Sequence, residues 1–471
     1  MLLAQFFSRQ ALLLRKAGRC CCRVEGHKSP LAAHRGKISF HSGTWSLARV
    51  VLGIETSCDD TGAAVVDETG QVLGEALCSQ KEVHLKTGGI VPTVAQQLHR
   101  ESIDGVVHDA LSASGISPEE LTAIATTVKP GLGLSLKVGL AYGVKMVNQY
   151  KKPFIPIHHM EAHALTIRLT NPVEFPFLVL LISGGHCMLV VARGVSDYLM
   201  LGQSLDEAPG DTLDKAARRL YLVRHPECST MSGGQAIEHL AQHGSRLHTE
   251  GFNLPMAHYP DCNFSFSGMR AHINRLILQK EKEEGTVCFL KWTWEGISTL
   301  CEQLILPSTG LQEDQLLCCA ADIAATVQHL VTLHIVKRTH RAILFCKKEG
   351  LLPPKNASLV VSGGVASNQY IRRALRTLTD ATEFTLLCPP SRLCTDNGIM
   401  IAWNGIERLR AGLEILHTVE GFRYMTKSKK IHIAGSKYSM YFQLHQIRVI
   451  IFCSIDIITA FISKMFQYFI F

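Results

Sequence analysis

No two cysteines in this chain are spaced C-x-x-C, although it holds 16 of them in 471 residues. Thiols scattered over such a length read as the reduced cysteines of an intracellular protein, and a disulfide scaffold is excluded. Long apolar runs are missing too. Residues 447–471 come nearest, but Arg448, Asp456 and Lys464 interrupt them. No stretch reaches the about eighteen uncharged residues that a spanning helix needs, so no stable membrane span is expected. The H-E-x-x-H signature of zinc peptidases is also absent. So is a general positive field, despite the net charge of +8. Residues 1–49 hold nine Lys/Arg against Glu25 alone, and 426–471 hold six against Asp456, which leaves 33 basic and 38 acidic residues in 50–425. If this body grips a polyanion, it does so through a local patch.

What is present is enough for two sizeable cores, given 471 residues of 46% hydrophobic content. The first segment is Arg-rich and acid-poor, with clusters at Leu2, Leu3, Phe6, Phe7 and Leu12–Leu14. That is the composition of an amphipathic mitochondrial transit peptide, whereas Arg15 and Lys16 cut the apolar run too short for a secretory signal. Residues 1–48 are therefore expected to be a disordered leader, with the mature protein in the mitochondrial matrix. Residues 426–471 form an atypical hydrophobic and basic tail.

Between these ends one strand grammar occurs twice. Val50–Thr56 reads as an apolar strand, Ser57–Gly62 as a polar turn, and Ala63–Asp67 and Gln71–Ser79 as two further strands. The same order returns at Phe177–Ile182, Ser183–His186, Cys187–Arg193 and Tyr198–Gln203. Each copy runs on into helical segments and short strands such as Leu121–Val128 and Leu359–Val361, which suggests a duplicated α/β fold with a cleft between its halves. The turns carry the chemistry. Ser57-Cys58-Asp59-Asp60-Thr61-Gly62, Ser183-Gly184-Gly185-His186 and Ser362-Gly363-Gly364-Val365-Ala366-Ser367-Asn368 each follow a strand. Amides freed by Gly and Ser can cradle a phosphate, and in the third turn a helix N-terminus adds its positive end.

The metal signal is His159-Met160-Glu161-Ala162-His163. Residues four apart share a helix face, so both imidazoles can reach one cation, while Glu161 is turned away from that face. An isolated pair at this spacing reads more readily as two helix-surface or core histidines.

With these residues in hand, the chain resembles the TsaD family of tRNA threonylcarbamoyladenosine synthases. The marks are Gly53-Ile54-Glu55-Thr56-Ser57-Cys58-Asp59-Asp60-Thr61, Gly88-Gly89-Ile90-Val91-Pro92, Lys129-Pro130-Gly131-Leu132-Gly133, His158–His163, Ser183–His186, Leu213-Asp214-Lys215, Ser362–Asn368 and Cys394-Thr395-Asp396-Asn397, in order from about 50 to 410. Departures are Met231-Ser232-Gly233-Gly234-Gln235 where the family has Pro-Gly-Gly-Pro, Thr93 after Val-Pro, and Asp60 where many members have Glu. The resemblance implies an α/β, duplicated actin-like fold (sugar kinase type, ribonuclease H-like), two-lobed with an interdomain cleft. The N-terminal lobe would span 49–175, and the C-terminal lobe, with a helical insertion, 176–425.

It also implies roles. One divalent metal would be held by His159, His163 and Asp396; two imidazoles and a carboxylate suit a borderline cation such as Zn²⁺ or Fe²⁺. Asp396 reads equally as a helix N-cap ahead of Gly398. Leu181, Ile182, Ser183, Gly184 and Gly185 would hold the phosphate of an acyl-adenylate, Asp214, Gly234 and Glu238 its ribose, and Ser367 and Asn368 its adenine side. The implied reaction transfers threonylcarbamoyl from threonylcarbamoyl-AMP, made by a separate adenylate-forming synthase, to the N6 amine of the adenosine 3′ to the anticodon in mitochondrial tRNAs reading ANN codons. Asp59 and Asp60 are candidates for orienting or deprotonating that amine, although both suit a structural turn. A tRNA presenting an unstacked base calls for a basic patch, with Lys151-Lys152, Lys347-Lys348 and Arg372-Arg373-Arg376 as candidates. A homodimer is expected by analogy. The competing readings are an actin-like phosphotransferase with a carboxylate Mg²⁺ site, a metallopeptidase, which would lack its H-E-x-x-H base, and an RNA-binding scaffold, which the acidic body disfavours.

Overall fold

The computed structural model describes residues 49–247, 253–283, 317–413 and 415–417. The leader expected over 1–48 and the tail expected over 426–471 lie outside the described residues.

Apolar strands buried on both faces build two sheets. The first contains β1 (Val50–Glu55), β2 (Asp60–Asp67), β3 (Val72–Ser79), β4 (Ala123–Lys129) and β5 (Phe154–His158) in the order β3-β2-β1-β4-β5. The second contains β6 (Phe177–Ile182), β7 (Cys187–Ala192), β8 (Tyr198–Gln203), β9 (Ser358–Ser362) and β10 (Thr385–Leu387) in the order β10-β9-β6-β7-β8. Read from the other edge, both sheets have the same plan. An antiparallel meander lies beside two parallel strands, with β1 and β6 in the centre. Every residue of β1 and β6 is buried, as continuous Val/Ile/Leu runs require when helices cover both faces. The edge strand β3 instead alternates buried and exposed positions. The duplicated two-lobed α/β architecture expected from the two hairpins is therefore what the chain adopts.

The helices of the first part are α1 (Lys81–Lys86), α2 (Pro92–Ser114), α3 (Gly133–Tyr150), α4 (His159–Leu165) and α5 (Ile167–Thr170). Those that follow are α6 (Pro209–Arg219), α7 (Gly233–Ala241), α8 (Ser267–Glu283), α9 (Ala320–Lys348), α10 (Gln369–Thr382), α11 (Ser391–Cys394) and α12 (Gly398–Arg410). Helices α2 and α3 cover one face of the first sheet through Ile103, Val106, Val138 and Met146. The other face packs on Met400, Ile401, Trp403 and Ile406 of α12, so the last helix returns to the first sheet after the second is complete. Glycines permit its close approach. A Cβ added to Gly53 would lie 2.2 Å from the Ala402 nitrogen, and one on Gly398 2.4 Å from the Ala63 carbonyl carbon.

Helix α4 is caught between the two sheets. Its Ala162 joins the core beneath α12, whereas Met160, Ala164 and Leu165 pack on Val179, Leu181 and Val360 of the second sheet. All seven of its residues are buried. Whatever this helix carries is thereby fixed at the junction of the lobes.

Candidate metal centre and its surroundings

Helix α4 starts immediately after β5, so its first residue, His159, and the residue one turn on, His163, are aimed by the end of a parallel strand. Their rings meet edge-on with centroids 4.6 Å apart. The loop between α11 and α12 delivers Asp396, whose Oδ1 lies 3.4 Å from Nε2 of His159 and 3.1 Å from Nε2 of His163. The three ligand atoms all lie within 4.8 Å of one another. Asp396 is not the helix cap: Asn397 takes that part, its Oδ1 accepting the amide of Met400 at 2.9 Å. Glu161 faces away from the imidazoles and pairs with Arg408 at 3.2 Å.

The electrostatics suit a cation. Burial alone would depress His159, but the carboxylates of Asp396 and Glu55 outweigh it and push the imidazole up to about 9. Desolvation would raise Asp396, yet His159 and His163 hold its carboxyl well below the usual range. Nδ1 of His163 is buried without a hydrogen bond. Two nitrogens and one oxygen converging among further carboxylates fit a divalent ion of the borderline class.

The first turn lies beside this centre. Burial raises the carboxyl of Asp59, and the charge of Asp396 raises it further. Burial and then the neighbouring Asp59 raise Asp60, one of whose oxygens is buried without a partner. His99 braces the turn from α2, bonding Thr61 Oγ1 at 2.7 Å and the Cys58 carbonyl at 3.0 Å.

The second turn is an open cradle. Ser183 Oγ accepts the amide of His186 at 3.0 Å, and a side chain added to Gly184 or Gly185 would meet nothing within 4 Å. Leu181 and Ile182 contribute only main chain, because their side chains are in the cores on opposite faces of the sheet. The third turn abuts the second: a Cβ on Gly363, whose φ is +97°, would fall 2.4 Å from the Ile182 carbonyl oxygen.

The remaining expected residues form one rim where α6, α7 and α10 meet. Asp214 Oδ1 accepts the amide of Gly234 at 2.9 Å, and Glu238 Oε1 accepts the amide of Gln369 at 2.6 Å. Asn368 caps α10 by accepting from Ile371 at 3.0 Å and donates to Gln328 Oε1 at 2.9 Å. Ser367 Oγ is buried beside the Cys394 thiol. Although Pro-Gly-Gly-Pro is replaced, a helix still begins there, because Ser232 and Gln235 form a reciprocal capping box. Beyond Gln328 opens a cavity of about 580 Å³ lined by Gln242, Ser245, Arg246, Tyr370 and Arg373 among others.

Of the basic runs, Arg372 is committed to the Pro389 carbonyl at 3.0 Å, Lys152 to the Glu119 carbonyl, and Lys347 lies over the Phe384 ring. Arg246 and Arg373 line the cavity, and neither has a carboxylate partner among the described residues. Sequence reasoning quoted Glu55 within a motif but gave it no role. The available signal was a carboxylate closing the otherwise apolar strand Val50–Glu55. Arg246, Gln328 and His99 carried no signal of their own.

A family model described as TsaD, tRNA N6-adenosine threonylcarbamoyltransferase, matches residues 71–403. The chain is 65% identical over 389 residues to the human protein named mitochondrial tRNA N6-adenosine threonylcarbamoyltransferase, covering 83% of this chain and 88% of that one. A Xenopus tropicalis protein of the same name is 61% identical over 400 residues, covering 85% and 92%. The Wolbachia pipientis tRNA N6-adenosine threonylcarbamoyltransferase is 35% identical over 364 residues, covering 77% and 94%.

Proposed function

The chain belongs to the TsaD family of tRNA N6-adenosine threonylcarbamoyltransferases, and from that premise we propose the donor, the acceptor and the residues that join them. It is a transferase of tRNA modification and a mitochondrial protein. The donor is threonylcarbamoyl-AMP from a separate adenylate-forming synthase. The acceptor is the N6 amine of the adenosine 3′ to the anticodon in mitochondrial tRNAs reading ANN codons, and the compartment is the matrix. Self-association into a homodimer belongs to the same proposal. No helix among the described residues is long and apolar enough to cross a membrane.

The amine nitrogen attacks the carbamoyl carbon, forming a C–N bond. The bond from that carbon to the phosphate oxygen breaks, its electron pair leaves with AMP, and the proton of the amine must be accepted nearby. An aromatic amine is a poor nucleophile, so the site must orient it and remove that proton. Asp59 and Asp60 suit the task, because burial raises both carboxyls, the charge of Asp396 adding to the shift at Asp59 and that of Asp59 to the shift at Asp60. The amides of Ser183–Gly185 and the Gly363 turn would hold the phosphate, and Asp214, Gly234, Glu238, Ser367 and Asn368 the nucleoside end. His159, His163 and Asp396 would hold a divalent ion, Zn²⁺ or Fe²⁺, which would supply charge neutralisation at the anhydride oxygens. For the tRNA we assign Arg246 and Arg373, which line the cavity and have no carboxylate partner among the described residues, to phosphate contacts.

The observation that carries this reading is the convergence of His159, His163 and Asp396 on one buried point beside the Asp59-Asp60 turn. It also argues against the two enzymatic rivals. Two imidazoles are a poor Mg²⁺ site for a phosphotransferase, and Glu161, held by Arg408, offers a peptidase no base. The test supplies purified protein with tRNA and freshly made threonylcarbamoyl-AMP, followed by mass analysis of the nucleosides. Wild-type chain converts the adenosine, while His163→Ala lowers the rate at least about 100-fold. Unmodified adenosine with the wild-type chain would end the proposal.

A further inference from the structure

Three polar groups converge on the Glu55 carboxylate: the Ser57 amide, the Thr127 hydroxyl and Nδ1 of His159. Its carboxylate closes β1 with 0% of its surface exposed. Oε1 accepts the amide of Ser57, and Oε2 accepts the Thr127 hydroxyl and lies 3.3 Å from Nδ1 of His159. The Ser57 hydroxyl is 3.2 Å from the same nitrogen. The opposite ring nitrogen, Nε2, is the one 3.4 Å from Asp396. Thus one face of His159 sees a buried carboxylate and the other the point where the three ligand atoms meet. His163 has no equivalent support, since its Nδ1 is buried without a hydrogen bond.

We propose that Glu55 is a positioning residue of the metal centre: it holds the Nδ1 proton of His159, so that Nε2 is the bare, metal-facing donor. The inference rests on the metal-centre reading given above. A carboxylate behind a ligating imidazole fixes its tautomer and ring orientation and raises its basicity. His159 is accordingly the stronger of the two imidazole ligands, although both lie on one helix at equivalent spacing.

The need for Glu, and not Gln, follows from counting acceptors. A carboxylate is acceptor-only, whereas an amide offers one oxygen and two N–H donors. In Glu55→Gln the oxygen can serve Ser57, but the NH₂ then confronts Nδ1. His159 must turn that nitrogen into an acceptor and carry its proton on Nε2, where the metal would sit. Alternatively the oxygen faces His159, and the buried amide of Ser57 loses its acceptor. Either arrangement weakens the site with nearly unchanged side-chain volume.

The experiment titrates the full chain with Zn²⁺ alone against a chromophoric chelator and follows unfolding in urea in parallel. Glu55→Gln is expected to bind zinc about 10- to 100-fold more weakly than wild type, the usual cost of losing such a partner. Thr127→Val, which removes a donor from Oε2 and leaves the carboxylate on His159, is expected to stay within about threefold. In zinc-loaded wild-type protein, long-range ¹⁵N–¹H spectra of His159 should show Nδ1 protonated and Nε2 bare. That measurement stands even if Glu55→Gln does not fold. Equal zinc affinity in wild type and Glu55→Gln, or an equal loss in both variants, would each overturn the inference while leaving the metal-centre reading intact, whereas a proton on Nε2 would take His159 off the metal and overturn both. A wild-type chain that takes up no zinc would refute both.

Discussion

At the scale of single residues, this protein concentrates the arrangements that are costly in a folded interior. Four carboxylates, Glu55, Asp59, Asp60 and Asp396, interact across a partly buried space around the imidazoles of His159 and His163. Like charges so placed repel, and each desolvated carboxylate loses hydration. The expenditure is intelligible where a cation is received and a proton is taken. His334 on α9 shows the opposite solution. Burial, followed by Arg338, depresses its imidazole to about 4, and it remains neutral between Phe264 and Phe266, accepting the Ser265 amide at 3.3 Å. Because the folded value lies below the ordinary 6.5, the unfolded chain takes up a proton that the folded chain refuses. This residue's effect on stability is therefore nil above about pH 6.5, falls as pH drops toward about 4, and then levels off, with a slope of up to about 1.4 kcal/mol per pH unit. Urea midpoints measured from pH 7 to pH 4.5 should fall less steeply for His334→Gln than for wild type. Parallel curves would show that this histidine does not titrate as described.

At the scale of elements, the site is assembled by close approach. Helix α12 reaches β1 and β2 only because Gly53 and Gly398 lack side chains, and Asp396 is two residues upstream of that contact. A Cβ at position 398 would lie 2.4 Å from the Ala63 carbonyl carbon and 2.5 Å from the Ala64 nitrogen, both main-chain atoms that cannot yield alone. Gly398→Ala is expected to cost about 1–3 kcal/mol in urea unfolding and to slow threonylcarbamoyl transfer by displacing Asp396. A variant with wild-type midpoint and rate would contradict this packing. Elements of this kind were unevenly legible in the sequence. The six hairpin strands fall within a few residues of their expected places, because continuous apolar runs between polar turns admit few other readings. The three-residue β10 carries too little pattern to be read, and it exists because β9 offers it a parallel edge. The cap of α12 could be Asp396 or Asn397 by residue preference alone; the backbone gives it to Asn397, which leaves Asp396 free for the histidines.

At the scale of the whole molecule, the sheet plan occurs twice, and exposed polar contacts join the two halves. Lys81 reaches Gln235 at 3.0 Å, and Arg392 reaches Glu75 at 3.1 Å. Exposed pairs of this kind contribute at most about 1 kcal/mol, so they add little to holding the two halves together. Residues 50–425 carry more acid than base, 38 residues against 33. Binding of tRNA must therefore come from few contacts, not from a broad field. The logarithm of tRNA affinity should fall with the logarithm of salt at a slope no steeper than about −3, which corresponds to roughly three neutralised phosphates. Arg373→Glu should make that slope shallower by about one. A steeper wild-type slope, or one that Arg373→Glu does not alter, would move the tRNA to another face.

The sequence by itself determined the strands and the duplication, because these depend on local periodicity, whereas the candidate ligands His159, His163 and Asp396 came from the family resemblance, since residue preference alone left Asp396 equally a helix cap. It could not determine that α12 returns to the first sheet, that α4 is clasped by both lobes, or that Glu55 stands behind His159. Those relations join residues as far apart as Glu55 and Asp396, and they arise only when apolar faces are buried against one another. Burial also sets the carboxylate basicities at the Asp59-Asp60 turn, since the same side chains in water would titrate as ordinary acids.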